Sequence, residues 1–456
     1  EEFNTPRSVY DLPFNSENGP SMKHYFHEVS YELLTVNTFH YPQCSNDTNI
    51  SYQDSFPRSY YQPYNEVTNP GGYTDSDVTY REHNLLKNAI SFIESQVSDT
   101  LIIDADGDNR VDNVTFLISG FPGGWSDLLW PHRWALYSVE SYINGKRVWD
   151  YNFNLSSGSY FSVGTLCHEF GHSLGAPDLY HYWDTVSPVA VGGWDLMDAT
   201  TDIPQWPSAY IKYRYFNWID LQDASEGGTY LLNPLGISDN NAYRINSSNP
   251  NEYFVLEYRN QQGIYDIYTP GEDKGIVIYR VNNIYNGEGN ANGPPDELYV
   301  YRVGGTLSNT GNFGMAIFSS DVDRNEFNDA TNPSSFLSDN SLGGVNIINI
   351  GSAEETIEFT VSNLSLLSNY FGVSYDTDGD GVVNPGESII LEFNMSNISN
   401  DVLAYNVTGT LSANVDCEIV NPVLSFGDIS GGTTTSTNYV EIIIPQSTDL
   451  GIFEVY

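Results

Sequence analysis

The sequence predicts a multidomain protein in which an α+β domain is followed by all-β sandwich domains. The chain has 456 residues, more than one hydrophobic core usually serves, and 40% of them are hydrophobic, so sizeable cores can form. Helical and strand patterns mix up to about residue 222, whereas short alternating runs between Asn, Gly and Pro clusters dominate after residue 228. We therefore expect domains at residues 1–222, 223–363 and 364–456, the last an Ig-like module that is a strand or two short.

Two helices and a strand are expected in the first domain before its closing helix. Apolar residues recur at helical spacing over residues 85–97, and Val-Thr-Phe-Leu-Ile at residues 114–118 reads as a strand after an acidic loop. A second helix is expected over residues 162–174, and an aromatic-rich helix over residues 207–218 closes the domain. Strands in the other domains are expected at residues 230–232, 253–258, 275–281, 345–350, 356–361, 388–395, 406–411 and 439–444.

The helix expected over residues 162–174 contains the sequence His-Glu-x-x-His. His168 and His172 are four residues apart, so on a helix their imidazoles lie on one face and can bind one Zn²⁺ ion. Glu169 is rotated by about 100° from His168 and can reach a water on that ion, where a general base is needed. The motif therefore predicts a catalytic zinc site at which a water attacks a carbonyl.

The residues after the motif offer a third zinc ligand. Gly175 can adopt the positive φ that ends a helix, and Pro177 cannot continue one, so the chain is expected to turn back. Asp178 then supplies a carboxylate, and three protein ligands plus water are usual at a catalytic zinc. His181, three residues further along, is the alternative third ligand.

These motifs resemble those of the immune inhibitor A family of secreted bacterial zinc metallopeptidases. Met197 in the glycine-rich segment 192–198 resembles the Met-turn beneath the metal of metzincin proteases. Further likenesses lie at residues 21–31, 104–112, 130–134, 257–259 and 275–279, and the resemblance extends over roughly residues 20–360. It implies a metzincin-like catalytic domain that hydrolyses peptide bonds, with Zn²⁺ bound by His168, His172 and Asp178 and Glu169 as the base.

Two other functions are compatible with the same residues. The first is a calcium-stabilised extracellular binding or adhesion protein on a catalytically silent protease scaffold. The intact Glu169 argues against it, because a silent scaffold does not need that side chain. The second is a zinc hydrolase of another amide, such as a cell-wall peptide, which only substrate tests separate from a peptidase.

Two acidic loops are candidate structural Ca²⁺ sites. Residues 376–387 match the pattern D-x-D-x-D-G-x₅-E, and Ca²⁺ requires six to eight oxygen ligands of the kind that this loop supplies. The expected ligands are Asp376, Asp378, Asp380, Val382, Asn384 and Glu387. The second loop is less complete, since Asn109 stands where glycine is preferred and the final Glu is lacking; its candidates are Asp104, Asp106, Asp108 and Asp112. The structural alternative for both loops is an acidic turn.

The charge composition excludes several classes of partner. Lys and Arg number 17 against 59 Asp and Glu, which gives a net charge of −42. A chain this acidic repels nucleic-acid phosphates and anionic membranes, and no run reaches the ~18 apolar residues of a membrane span. The expected partners are therefore protein or peptide substrates, while the oligomeric state cannot be read from the sequence.

The cysteines and the first residues bear on the compartment. Cys44, Cys167 and Cys417 are an odd number, which rules out a full disulfide framework and leaves a single Cys44–Cys417 bridge open. The chain opens with neither a signal peptide nor an initiator Met, as a mature secreted protein would. We therefore expect a secreted protein.

Overall fold

The structure is a computed structural model that describes residues 3, 5–121, 128–183, 187–362, 366–399, 404–413 and 417–448. In these ranges the α-helices are α1 Arg7–Asn15, α2 Met22–Val29, α3 Val78–Ile93, α4 Val163–Ser173 and α5 Ala209–Arg214. Short 3-10 helices lie at Arg58–Tyr61, Glu94–Gln96, Gly158–Tyr160, Gly192–Trp194, Asp266–Tyr268, Asn283–Tyr285, Phe313–Met315 and Ser320–Val322.

The strands far outnumber the helices. The first strands are β1 Val114–Ile118, β2 His132–Ala135, β3 Tyr142–Ile143, β4 Lys146–Arg147 and β5 Asp150–Leu155. The next are β6 Gln222–Asp223, β7 Gly228–Leu232, β8 Ala242–Asn246, β9 Glu252–Arg259, β10 Gly275–Asn282, β11 Leu298–Val300, β12 Ile317–Phe318, β13 Phe327–Asn328, β14 Asn346–Ile348 and β15 Ile357–Val361. The last are β16 Leu366–Asp376, β17 Ser388–Asn397, β18 Ala404–Thr410, β19 Glu418–Val420, β20 Val423–Ile429, β21 Thr433–Thr434 and β22 Asn438–Ile443.

The predicted helices are present, but their lengths differ. Helix α4 matches the prediction closely because Ser162 caps it by accepting the N–H of Thr165. Helix α3 begins seven residues earlier than expected, at Val78 rather than residue 85, and ends at Ile93. Helix α5 is shorter than residues 207–218, because the chain leaves the helical path after Arg214 and Asn217 adopts a φ of +54°.

A three-stranded sheet lies beside α4. Its order is β1-β5-β2, with β1 parallel and β2 antiparallel to the central strand β5. The alternate side chains of Tyr151 and Phe153 on β5 are fully buried. Ser173 at the end of α4 donates its hydroxyl to Asn152 Oδ1 at 2.9 Å, so the helix is attached to the central strand.

Two larger sheets follow, as the alternating pattern predicts. One has the order β11-β10-β9-β8-β6 with β12 beside β10, and the other has the order β13-β14-β15-β7. Their pairings are antiparallel except for β6 with β8. Phe254 of β9 and Phe327 of β13 contact each other with ring centroids 5.8 Å apart. A helix-containing part followed by a β-rich region is therefore confirmed, while the metzincin fold and the sandwich type stay predictions.

The largest hydrophobic core joins these parts. It includes Leu166 of α4, Trp194 near the predicted Met-turn, and Val255 and Ile278 of β9 and β10, all fully buried or nearly so. The metal-motif helix thus packs in the same core as the downstream sheets. The expected domain limits stay predictions, but a division at residue 222 would run through this core.

The C-terminal part forms its own sheets. Their orders are β16-β17-β22-β19 with β21 beside β17, and β18-β20. The small core includes Ile389 and Leu391 of β17 and Val440 and Ile442 of β22.

Two further sequence expectations can be compared with the structure. Cys44, Cys167 and Cys417 all lie within the described ranges, and they are thiols rather than disulfide partners. Among the described helices, none is long and apolar enough to cross a bilayer.

Candidate metal centre

Helix α4 places the two motif histidines on one side of the helix. Cys167 on its other side is fully buried in the core, while His168 and His172 are only partly buried. The helix ends as predicted: Gly175 adopts a φ of +103°, and the N–H of Ala176 donates to Gly171 O at 3.1 Å. The reversal carries the chain back towards the histidines.

Three donor atoms converge at this reversal. Nε2 of His168 and Nε2 of His172 lie 3.1 and 3.3 Å from Oδ1 of Asp178. The second ring nitrogens are occupied, since His168 Nδ1 lies 3.0 Å from Leu196 O and His172 Nδ1 lies 2.7 Å from Ala176 O. A carbonyl oxygen can only accept, so each Nδ1 carries a proton, and Nε2 is the ring atom of each histidine that can bind a metal.

This donor set fits a zinc ion. Oδ1 of Asp178 is buried and, among the described atoms, makes no contact with hydrogen-bond geometry, although two imidazole nitrogens are near it. Burial alone would raise the pKa of Asp178, but its contacts with His168 and His172 hold that pKa well below its usual range. Two neutral imidazoles and one ionised carboxylate are the ligand types of catalytic zinc sites.

Glu169 lies beside the three donors. Its side chain is buried, and Oε2 has no hydrogen-bond partner within the described part of the chain. Burial raises the pKa of Glu169, with the charges of His168 and His172 opposing the rise. An unpaired carboxylate oxygen of raised basicity has the properties that a general base needs.

Met197 lies beneath the motif helix. It is fully buried, and a Cβ built on Gly171 would lie only 2.8 Å from Met197 Sδ, so glycine at 171 allows the close packing. The backbone of the same turn contacts the third-ligand segment, because the N–H of Leu179 donates to Met197 O at 2.9 Å. The predicted Met-turn therefore supports both the helix and the segment that carries Asp178.

The family comparison falls on this region. Residues 119–208 match the family model described as the immune inhibitor A peptidase M6 catalytic domain. This segment is therefore similar to the catalytic domain of the M6 peptidases. The match contains both histidines, Glu169, Asp178 and Met197, so the resemblance inferred from the motifs is confirmed there. The family is one of metallopeptidases that act on proteins or peptides, and no curated protein or solved structure matches the chain.

The alternative ligand, His181, has a different carboxylate partner. His181 Nε2 lies 2.6 Å from Asp296 Oδ1, and both side chains are buried. The structure therefore brings Asp178, rather than His181, to the two histidines. His132 has another carboxylate partner, with Nε2 3.1 Å from Glu82 Oε1 and its ring stacked on Phe153.

Two tyrosines border the candidate metal centre and were not identified from the sequence. The hydroxyl of Tyr182 donates to Oδ2 of Asp178, whereas the histidines lie near Oδ1. The ring of Tyr180 lies roughly parallel to that of His168, with centroids 6.4 Å apart. Their alternation directly after Asp178 is the sequence signal that could have found them.

The loop at residues 104–112 groups three of its four candidate carboxylates. Oxygens of Asp104, Asp106 and Asp108 converge within 4.8 Å, whereas Asp112 Oδ1 accepts the N–H of Ala105 at 2.9 Å. Asn109 adopts a φ of +68°, so it fills the conformation for which glycine was expected. Asp104 Oδ2 also has a cationic neighbour, the ammonium of Lys146 at 2.5 Å.

The loop at residues 376–387 also groups three aspartates, but within the described residues it has no lysine contact like that of Lys146. Oxygens of Asp376, Asp378 and Asp380 converge within 4.8 Å. The other candidates are tied within the loop: Val382 O accepts the side-chain amide of Asn384 at 3.1 Å, and Glu387 Oε2 accepts the N–H of Asn384 at 2.7 Å. The structure thus groups the aspartates of both loops and leaves the remaining expected ligands outside the groups.

Proposed function

We propose that this chain is a secreted zinc-dependent endopeptidase that cleaves peptide bonds in extracellular proteins. The convergence of His168 Nε2, His172 Nε2 and Asp178 Oδ1 beside the unpaired Oε2 of Glu169 is the observation that carries the proposal. Secretion is part of the proposal because the motifs resemble those of secreted enzymes and because the chain is strongly acidic, with a net charge of −42.

Each residue has a separate task in the proposed reaction. His168, His172 and Asp178 would hold zinc, which when bound would polarise the peptide carbonyl and make a water more acidic. Glu169 accepts the proton of the attacking water, and its burial strengthens it as a base by raising its pKa. The protonated Glu169 then donates that proton to the leaving amine nitrogen, which completes the cleavage.

The neighbours of the ligands keep them aligned. The carbonyls that accept from both Nδ1 atoms fix the tautomers and ring orientations of His168 and His172. The hydroxyl of Tyr182 fixes one carboxylate oxygen of Asp178, which leaves the other directed at the histidines. Such outer contacts commonly change metal affinity or activity by about 10- to 100-fold when removed.

The test compares the unmodified chain with Glu169→Gln in the digestion of unfolded casein, with bound zinc measured in both. Retained zinc and lost digestion are expected for Glu169→Gln, because the amide cannot accept the proton. Glu252→Gln is the matched control, since Glu252 is also a buried carboxylate but pairs with Arg280 on β10. Equal digestion by Glu169→Gln would refute the proposed base. No digestion by any zinc-loaded form would favour the binding-protein alternative.

We further propose that both acidic loops bind structural Ca²⁺. The grouped aspartates supply hard oxygen ligands, and carbonyls or waters can complete the six to eight that Ca²⁺ requires. Gly379 and Gly381 adopt φ of +75° and +79°, which suits a loop folded tightly around an ion. Differential scanning calorimetry with Ca²⁺ or EGTA tests this, with a higher melting temperature expected in Ca²⁺ and an unchanged one counting against it.

A further inference from the structure

A loop of the β-rich region lies against the segment that carries Asp178. The loop, residues 283–297, connects β10 to β11. The N–H of Asn290 donates to Asp178 O at 2.9 Å, and the N–H of Tyr182 donates to Ala291 O at 3.0 Å. These backbone bonds fix the loop to the third-ligand segment at both ends of the contact.

Asn290 uses its whole side chain in this contact. It is 0% exposed, and Nδ2 donates to Leu179 O at 3.0 Å and to Leu298 O at 2.8 Å. Oδ1 accepts the N–H of Leu298 at 3.1 Å. One amide therefore joins the residue after Asp178 to the first residue of β11.

The loop is itself firmly held. Glu297 is fully buried and accepts the N–H groups of Gly287 and Gly289 at 3.1 and 2.6 Å and the hydroxyl of Tyr210 at 2.5 Å. Gly289 adopts a φ of +65°, and a Cβ there would lie 2.3 Å from Asp178 O. Glycine at 289 is therefore what allows the loop to approach Asp178 so closely.

The third-ligand segment depends on such contacts because it has no helix or strand of its own. The described residues between α4 and the 3-10 helix Gly192–Trp194 contain no regular element. The Met-turn holds Leu179 through its N–H, and Asn290 holds Leu179 through its carbonyl. The position of Asp178 relative to α4 is thus set from two sides, one of which belongs to the β-rich region.

We propose that Asn290 is a positioning residue of the metal centre, which holds Asp178 in place to complete the zinc site from the downstream sheet. The inference rests on the proposed zinc-peptidase function and extends it to a residue outside the matched M6 segment. Without the amide, Leu179 O and Leu298 O lose their buried donor, and the ligand segment is held by its backbone contacts alone.

The experiment titrates Zn²⁺ alone into the full chain in competition with a chelator and records the visible spectrum of the Co²⁺ form. Asn290→Ala is expected to bind Zn²⁺ about 10- to 100-fold more weakly and to give a changed Co²⁺ spectrum. Asn282→Ala is the matched control. Asn282 is also a buried asparagine of the region, but it bonds Ser338 and Ile284 rather than the ligand segment, so native affinity and spectrum are expected.

The outcomes separate the two proposals. If Asn290→Ala has the same zinc affinity and the same Co²⁺ spectrum as the unmodified chain, the positioning role is overturned. Failure of the unmodified chain to bind Zn²⁺ would instead overturn the proposed function. If Asn290→Ala does not fold, amide hydrogen exchange is measured on the unmodified chain instead. Because the N–H of Asn290 donates to Asp178 O, Zn²⁺ should slow the exchange of this N–H. Exchange that is unchanged by Zn²⁺ would refute the inference.

Discussion

Arg259 of β9 is the centre of a buried ion cluster that reaches the Met-turn. The side chain is fully buried, with Nε 2.6 Å from Glu257 Oε1 and Nη1 2.9 Å from Asp266 Oδ1. Nη2 lies 3.4 Å from the carbonyl oxygens of Trp194, in the Met-turn segment, and of Pro207, just before α5. We predict that Arg259→Met, which preserves much of the apolar stem, destabilises the whole core.

The expected loss follows from the charges left behind. Removing one partner of a buried ion pair costs about 3–5 kcal/mol. In the variant Glu257 still accepts the N–H of Ala209 at 2.5 Å and the hydroxyl of Tyr279 at 2.8 Å, so its carboxylate keeps two hydrogen-bond donors. Burial, and after it the charge of Arg259, lowers the pKa of Lys212. Without Arg259 this buried amine takes up a proton more readily, and its positive charge then partly replaces that of Arg259 beside Glu257 and Asp266. The loss in the free energy of unfolding should therefore lie near the lower limit, about 3 kcal/mol.

Urea denaturation followed by tryptophan fluorescence measures this loss. The double variant Arg259→Met with Glu257→Gln should recover about 1 kcal/mol or more, because it removes one of the unpaired charges. A loss below about 1 kcal/mol for Arg259→Met, or strict additivity in the double variant, would refute the argument from buried charge.

Three further predictions concern the metal centre and the acidic loop at residues 104–112. Tyr182→Phe removes the hydroxyl that donates to Asp178 and should weaken zinc binding about tenfold in chelator competition; unchanged affinity would contradict the orienting role. In chelator-treated protein, burial alone would lower the pKa of His168, but Asp178 raises it from 6.5 to about 9. The stabilisation that protonated His168 gains from Asp178 is therefore complete below pH 6.5 and is lost as the pH rises through about 9. The melting temperature should fall over this interval, and it should fall less steeply in His168→Gln, which cannot take up the proton. Lys146→Met removes the ammonium beside Asp104 and should strengthen Ca²⁺ binding at that loop, measured by calorimetric titration; weaker binding would show that Lys146 supports the loop instead.

The parts of the site that the sequence predicted are those encoded by short-range signals. Ser162 caps α4, His168 and His172 repeat at helical spacing, and Gly175 reverses the chain, all within a few residues. Steric and hydrogen-bonding rules act at this range, so the helix, its ends and the meeting of the histidines with Asp178 could be anticipated.

The contacts that were missed join distant positions. Asn290 and Leu179 are 111 residues apart, and no local pattern connects an asparagine in a glycine-rich loop with a zinc ligand. The burial of strand β9 was missed for another reason. Glu257 and Arg259 are charged, and yet every residue of the strand is buried. Alternation of polar and apolar residues predicts a half-exposed strand, whereas these charges are paired inside the core.

The order of the contacts along the chain has a consequence for biosynthesis. A ribosome completes the histidine motif, Asp178 and the Met-turn well before it reaches Asn290 and the loop bonded to Asp178. Closing a contact over 111 residues costs chain entropy that only a folded β-rich region repays, so this contact forms late. On the proposed function, a nascent chain therefore carries every zinc ligand before Asn290 can hold Asp178, so its zinc site should reach full affinity only after the downstream sheet has folded.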